Sequence, residues 1–252
     1  MALPWLLIPV LVAASCGSPT APSPTPSGSP GPDVLTITPA VGAVKIGSTV
    51  ALAAVVVSGD GTRRTVAASW SSDSPEVVAV SGDGRVSGMS LGKTSIHAKF
   101  EALSADQVMR AVPDYGGTWS GNYHVLNCTQ ISGNVNICDA GAVLPLSTVV
   151  NQDGASVTGT LAFYSTGGRL VETGPVAGSI DDTGALLLAG TTTSVEAEQP
   201  GTTQVTGWNT TLVNEGAQMM GQFTEHRRFQ NFFGWQESIA DSELVNVTRS
   251  GP

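Results

Sequence analysis

Short apolar runs separated by turn dipeptides fill residues 33–112. VLTITP at 34–39 alternates apolar and polar positions, and STVALAAVVV at 48–57 is a longer apolar run. The dipeptides Asp60-Gly61 and Asp83-Gly84 are of the kind that closes hairpins between such runs. No helical period interrupts this pattern, and about seven short strands in such a segment predict a two-sheet β-sandwich.

A different pattern fills residues 116–252. Five glycines stand inside short apolar motifs at intervals of 12 to 19 residues, and turn signals such as QDG at 152–154 and DDTG at 181–184 separate them. The glycines are Gly159, Gly178, Gly190, Gly207 and Gly221. Glycine inside a strand marks a bend or bulge, as a curling sheet requires. We therefore predict about eight strands in an antiparallel up-and-down β-barrel, with an open sandwich as the alternative.

Four motifs of the first segment point to a known family. Residues 33–112 contain, in order, LTITP, KIGSTVALAA, SWSSDSPEVVAVSGDGRVSGMSLGKTSIHAKF and SADQVMRAV. In these motifs the segment resembles a bacterial immunoglobulin-like domain of group 2. The resemblance implies an Ig-like sandwich with Trp70 as the aromatic residue between the sheets. Such domains are found in adhesins, invasins and other surface proteins, as spacers or as contact modules.

The second segment opens with Gly117-Thr118-Trp119. This tripeptide resembles the Gly-x-Trp that begins lipocalin-type barrels. The resemblance implies a barrel in which Arg249, on the last strand, covers the indole of Trp119.

The amino terminus carries an export signal. Residues 1–15, MALPWLLIPVLVAAS, are mostly apolar but shorter than the roughly 20 residues that span a bilayer. Small residues then lead into Cys16, as a cleavage site requires. The segment resembles the lipobox of bacterial lipoproteins, which implies that residues 1–15 are a signal peptide and that Cys16 is acylated. The alternative is an ordinary secretory signal followed by a stray cysteine.

Residues 16–32 are nearly all Gly, Ser, Pro, Thr and Ala. Such a segment has few side chains to bury and predicts an extended or disordered, lipid-anchored linker. Gly17 follows the cysteine in place of the Asp that marks inner-membrane retention in many lipoproteins. The resemblance therefore implies an outer-membrane or cell-surface location.

The net negative charge of the chain argues against one class of partner, nucleic acids. The formal net charge is −9, and the second segment carries twelve acidic residues against four arginines, whereas residues 33–112 carry seven of each sign. An acidic chain is a poor partner for the phosphates of nucleic acid, so we expect no nucleic-acid binding.

The chain has three cysteines. Cys128 and Cys138 lie close in sequence within one segment and predict a disulfide in an oxidising compartment, which leaves Cys16 for the lipid. The competing interpretation is a pair of metal ligands, but no histidines cluster near them. We expect no metal site and no cofactor.

The segment 223–243, FTEHRRFQNFFGWQESIADSE, combines cations with aromatic residues. We interpret it as a long loop or short helix across one barrel end, offering stacking and guanidinium contacts to a sugar, an acyl chain or an anionic group. The candidate ligand-binding residues are His226, Arg227, Arg228, Phe232 and Trp235. In the alternative interpretation, Phe229, Phe232 and Phe233 plug the barrel.

No catalytic motif is present. The chain lacks HExxH, Gly-x-Ser-x-Gly, a phosphate loop and a calcium loop. The sequence therefore predicts a non-enzymatic surface lipoprotein whose Ig-like module presents a barrel for adhesion to a glycan or protein. The alternatives are lipocalin-like binding of a small apolar ligand inside the barrel and, less favoured, a cell-surface hydrolase.

Overall fold

The computed structural model describes residues 31–250 with the exception of Ala197. Most of these residues lie in β-strands, which confirms the all-β prediction. The predicted signal peptide, Cys16 and most of the linker lie outside the described residues, and Gly31 already begins the first strand. Within the described part of the chain, no helix is long and apolar enough to cross a membrane.

The N-terminal module consists of ten short strands. They are β1 (Gly31–Thr38), β2 (Ala43–Lys45), β3 (Thr49–Ala51), β4 (Ala53–Gly59), β5 (Arg63–Val66), β6 (Ser69–Ser72), β7 (Val78–Val80), β8 (Arg85–Gly88), β9 (Gly92–Phe100) and β10 (Leu103–Val112). They form three sheets in the orders β1-β4-β5, β2-β10-β9-β6 and β3-β8-β7. The apolar run 48–57, expected as one strand, divides at Leu52, so that β3 and β4 belong to different sheets.

Two apolar clusters form the core of this module. One includes Val44, Ile96 and Met109, and the other includes Leu35 and Val56. Trp70 is half-buried and packs against both clusters. It therefore joins the two clusters, as the Ig-like resemblance implies, although its indole keeps some contact with solvent.

The C-terminal module is a closed antiparallel barrel of eight strands. They are β11 (Gly117–Ser132), β12 (Val143–Asp153), β13 (Ser156–Tyr164), β14 (Leu170–Ile180), β15 (Leu186–Ser194), β16 (Gly201–Val213), β17 (Gln218–Asn231) and β18 (Gly234–Arg249). Each strand pairs with its neighbours in sequence, and β11 closes the barrel by pairing with β18. The barrel prediction is confirmed over the open sandwich, and closure leaves no free sheet edge.

Alternation along the strands fills the barrel interior. In β12, for example, Leu146, Thr148 and Val150 are buried while the outward Val149 is exposed. Aromatic rings occupy the centre, where Trp208 stacks on Phe223 at 4.8 Å between ring centroids. The remaining large buried aromatic residues of the barrel are Trp119, Tyr123 and Phe163.

Glycines allow the close approaches that the curved sheet requires. A Cβ atom at Gly190 would lie 2.2 Å from the carbonyl oxygen of Pro175, which is closer than any side chain tolerates. Gly207 has a φ of +59° and lies where the register between β16 and β17 shifts. The predicted role of these in-strand glycines is confirmed at both positions.

Tyr115 closes the barrel end that adjoins the N-terminal module. It is fully buried, and its hydroxyl donates to the carbonyl oxygens of Gly184 at 2.8 Å and Thr210 at 3.1 Å. Burial raises its pKa to about 12. The indole of Trp119 donates to the Tyr115 carbonyl at 2.7 Å, and Arg249 covers the same indole at 4.8 Å from the ring centroid. The Arg249 contact implied by the Gly-x-Trp resemblance is thus present.

Polar contacts also join the two modules. Arg110 forms a 2.6 Å ion pair with Asp182, and Lys45 lies 3.2 Å from Asp114. Two clefts of about 580 and 420 Å³ remain at this junction. The larger cleft is bounded by Ile46, the linking residues Pro113 and Asp114 and the turn before β17, and the smaller one by residues 40–43, Arg110 and the turn between β12 and β13.

The interpretation of residues 223–243 as a loop or short helix is wrong. The segment forms most of β17, a two-residue turn and the first half of β18. Phe223, Glu225 and Arg227 occupy every second position of β17 and face the barrel interior. The two-residue alternation of the strand therefore continues through charged residues. The alternative, an aromatic plug, is also wrong for Phe232 and Phe233, which lie in the turn and are exposed.

Candidate functional site

The two ends of the barrel differ in accessibility. The turns at one end contact the N-terminal module, where Gly154 adjoins Ala43 and Gly184 adjoins Leu91. The opposite end, here called the distal mouth, carries the other four connections of the barrel. They are residues 133–142, 165–169, 195–200 and 232–233. Because hairpin connections alternate between the ends of an up-and-down barrel, the distal mouth points away from the N-terminal module.

The structure does not bring the five predicted ligand-binding residues into one site. Arg227 points into the barrel, whereas His226 and Arg228 lie on the outer wall of the same strand. Phe232 is in the turn, and Trp235 is on the outer face of β18. Strand alternation separates neighbours in sequence onto opposite faces, which a loop or helix would not have done.

Arg228 and Trp235 form a pair on the outer wall. The Arg228 guanidinium lies 4.6 Å from the centroid of the Trp235 ring and also pairs with Glu237 at 3.0 Å. Trp235 is 45% exposed. The guanidinium therefore packs against the indole ring, while much of the ring stays accessible.

Phe232 and Phe233 form the turn between β17 and β18. Phe232 is 97% exposed and Phe233 is 64% exposed, and their rings meet edge to face at 5.4 Å. The Asn231 side chain accepts a hydrogen bond from the Phe233 amide at 2.9 Å and shapes the turn. We call Phe232, Phe233 and Trp235 the aromatic tip. The exposed rings of the aromatic tip therefore contribute little to the packing of the barrel core.

Arg227 is the centre of an ion-pair network inside the distal mouth. Its Nε donates to Glu225 at 2.5 Å, and one terminal nitrogen donates to both oxygens of Asp139 at 2.9 Å. Glu225 is 1% exposed and also accepts a 3.1 Å hydrogen bond from Ser242. Burial raises the pKa of Glu225, and the charge of Arg227 opposes that shift.

Sequence reasoning missed Glu225, Asp139 and Glu172 as residues of this site. The alternation of Phe223, Glu225 and Arg227 along a strand could have placed the first of these inside the barrel. Asp139 could not have been found in this way, because it lies in a connection whose path only the tertiary structure defines.

The connection 133–142 folds over part of the distal mouth. Cys128 and Cys138 are joined in a disulfide with Cα atoms 5.3 Å apart. The amide of Val135 donates to Gln236 at 3.0 Å, and the amide of Ile137 donates to Gln130 at 3.1 Å. These contacts and the Asp139–Arg227 pair fix the connection against the strands that it covers.

A cavity of about 200 Å³ remains in the distal mouth. Its walls include the apolar side chains of Leu144, Phe163, Val171 and Phe229 and the polar side chains of Tyr123, Glu172, Thr203, Glu225 and Arg227. Below it the aromatic core fills the barrel. Among the described residues, no group of three or more His, Cys, Asp or Glu is placed to hold a metal ion.

Residues 33–104 match the family model of the bacterial Ig-like domain, group 2. This confirms the resemblance that the motifs of the first segment indicate. The match covers the Ig-like module and none of the barrel, so the lipoprotein signal and the lipocalin resemblance stay predictions. No curated protein gives a significant match to the chain.

Two solved structures of an S-layer protein are similar to this chain. The structure of SbsC domains 5–6 has 14% identity and a TM-score of 0.29, with 85% of this chain and 99% of that chain covered. The structure of SbsC domains 4–9 has 14% identity and a TM-score of 0.30. This match covers 85% of the present chain and 31% of the SbsC chain, so the present chain spans about a third of the length of that SbsC structure.

Proposed function

We propose that this protein is a non-enzymatic surface recognition module of a bacterium, anchored through an acylated Cys16 and contacting a glycan or a protein with the distal end of its barrel. The family match of residues 33–104 supports a surface location, because such domains are typical of adhesins and invasins. The Ig-like module then serves as a spacer that carries the barrel outward.

The observation that carries this proposal is the aromatic tip. Phe232, 97% exposed, and Phe233, 64% exposed, project from the barrel end that is opposite the Ig-like module. Exposing two adjacent phenylalanines to water is unfavourable unless a partner covers them. Trp235 adds an indole of the kind that is enriched at interfaces, in contact with the Arg228 guanidinium.

The filled interior gives less support to the alternative of a small apolar ligand. A ligand pocket usually has a volume of at least about 300 Å³ and is mostly apolar. The cavity of the distal mouth is about 200 Å³ and is lined by charged groups. The buried side chains of Trp208, Phe223 and Trp119 occupy the centre of the barrel, where an apolar ligand of this kind would bind.

The test compares the full chain with two triple variants in binding to a glycan array and to a panel of immobilised extracellular proteins. The first variant carries Phe232→Ser, Phe233→Ser and Trp235→Ser. The matched control carries Val149→Ser, Leu187→Ser and Met220→Ser, which remove exposed apolar side chains from the barrel wall. We expect the first variant to lose binding and the control to keep it, with unchanged circular dichroism in both.

Two results would contradict the proposal. One is retention of full binding by the aromatic-tip variant. The other is the absence of binding to any member of the array and the panel by the unaltered chain. The anchor is tested separately by mass spectrometry of the mature protein, where an unmodified thiol at Cys16 would disprove the lipid.

A further inference from the structure

The cavity of the distal mouth is lined by more carboxylates than cations. Glu172 and Glu225 line it, Asp139 pairs with Arg227 beside it, and Arg227 is the single basic side chain among the described residues that line the cavity. Its donors are directed at Glu225 and Asp139. The network therefore satisfies two of the three acids and leaves the charge of the third, Glu172, uncompensated by protein.

Glu172 has a neutral partner only. It accepts a 2.6 Å hydrogen bond from the hydroxyl of Thr192, and no basic side chain of the described chain lies within ion-pair distance. Its half-buried carboxylate lines the 200 Å³ cavity and also an adjoining cleft. Arg169 borders that cleft, but its guanidinium is paired with Glu196.

Aromatic side chains surround the same carboxylate. Phe163 is the register partner of Glu172 on the neighbouring strand, so both side chains point inward. Phe229 lines the cavity and the adjoining cleft together with Glu172. An aromatic ring attracts a cation over its face, and a partly desolvated carboxylate strengthens that attraction.

This combination discriminates between classes of ligand. An anion would meet Glu172, Glu225 and Asp139 and would be repelled. A purely apolar group would bury the Glu172 carboxylate without a counter-charge, which is costly. A short alkyl chain that ends in a cation satisfies both walls, because its methylenes pack on the aromatic rings and its charge reaches the carboxylate.

We propose that the distal mouth binds a primary alkylammonium or alkylguanidinium group, with Glu172 as the counter-charge and Phe163 and Phe229 as the apolar walls. The group comes from a free amine or from a lysine or arginine side chain of the partner. The second source deepens the proposed recognition function and rests on it, whereas the first does not need it.

The test titrates the full chain with n-butylammonium, n-butylguanidinium and n-butanol by calorimetry. We expect both cations to bind in a saturable manner and the isosteric alcohol to bind at least about tenfold more weakly. Glu172→Gln keeps the acceptor for Thr192 but removes the charge, and it should weaken both cations by about tenfold. Glu215→Gln, an exposed carboxylate at the other barrel end, is the matched control and should change nothing.

A second variant guards against a folding artefact. Phe229→Leu keeps an apolar wall and removes the aromatic face, so it should weaken the cations without changing the thermal midpoint. The proposal is overturned if neither cation gives a saturable signal, if n-butanol binds as tightly as n-butylammonium, or if Glu172→Gln binds the cations like the unaltered chain.

Further arms of the experiment separate the source of the cation and the two proposals. A blocked Gly-Lys-Gly peptide that binds about tenfold more tightly than n-butylammonium identifies a partner side chain, whereas equal affinity identifies a free amine. The aromatic-tip variant should keep full affinity for n-butylammonium. If this variant loses adhesion but still binds n-butylammonium, the aromatic tip and the cavity act independently. If the unaltered chain shows adhesion but does not bind n-butylammonium, the cavity proposal alone is overturned.

Discussion

Arg227 and Arg228 are adjacent in sequence and lie on opposite faces of the barrel wall. Arg227 is inside, with 13% of its side chain exposed, and pairs with the buried Glu225. Arg228 is outside, with 55% of its side chain exposed, and stacks on Trp235. One strand thus carries a structural cation and a surface cation side by side, and the two can be separated by experiment.

Replacing Arg227 by Met should lower the free energy of unfolding by about 3–5 kcal/mol, because it leaves the carboxylate of Glu225 buried without its counter-charge. Arg228→Met, the matched control, should change it by no more than about 1 kcal/mol. Chemical denaturation of both variants checks this. Equal effects of the two substitutions would show that the inward and outward assignments of β17 are wrong.

The two phenylalanine environments should differ in the same assay. Phe223→Ala removes a ring stacked on Trp208 in the barrel core and should cost about 3–5 kcal/mol. Phe232→Ala removes a 97% exposed ring and should stay within about 0.5 kcal/mol of the unaltered chain. A large loss of stability on replacing Phe232 would contradict its exposed position and the surface role that follows from it.

Replacing both Cys128 and Cys138 by Ser should destabilise the protein by about 2–3 kcal/mol, because the disulfide closes a short loop and restricts the unfolded chain. The covering connection should also exchange its amide protons faster, at Val135 and Ile137 in particular. Hydrogen exchange followed by mass spectrometry measures this. Unchanged exchange in residues 133–142 would mean that the hydrogen bonds alone fix the connection.

His97 should make the stability of the Ig-like module depend on pH. Its ring lies 2.6 Å from an oxygen of Asp106 and 2.9 Å from one of Asp73. The hydrogen bond to Asp106, and then the one to Asp73, raise the pKa of His97 above its ordinary value of 6.5. The folded state therefore gains stability below the unfolded pKa, and this gain is lost as pH rises through the folded pKa.

Denaturation of the unaltered chain and of His97→Gln as a function of pH checks this sign. His97→Gln should flatten the pH dependence of stability. The expected direction would be contradicted if the unaltered protein became more stable between mildly acidic and basic pH and His97→Gln removed that increase.

The candidate residues show where sequence reasoning reached its limit. The segment 223–243 stands out in the sequence because cations and aromatic residues concentrate there. The prediction of a loop or short helix for this segment is wrong, because buried charged residues interrupt the apolar pattern that usually identifies a strand. Glu225 and Arg227 neutralise each other inside the barrel, so polar residues occupy positions that a periodicity argument reserves for apolar ones.

The cavity could not be derived from the chain in order. Asp139, Glu172 and Arg227 come from a connection and two separate strands, and barrel closure sets their spacing. The sequence shows the charge of each of these residues. Only the structure shows that Arg227 pairs with both Glu225 and Asp139, which leaves Glu172 without a basic partner among the described residues.

By itself, the sequence determined the all-strand architecture, the two modules, the position of most hairpin turns and the Ig-like family of the first module. These follow from local physics, since alternation, turn dipeptides and in-strand glycines act within a few residues. Only the tertiary structure decided between the predicted closed barrel and the open sandwich, and showed that the core is filled and which cations face inward. Closure joins the first and last strands of the barrel across the whole module, and the local pattern of the chain does not specify such long-range pairing.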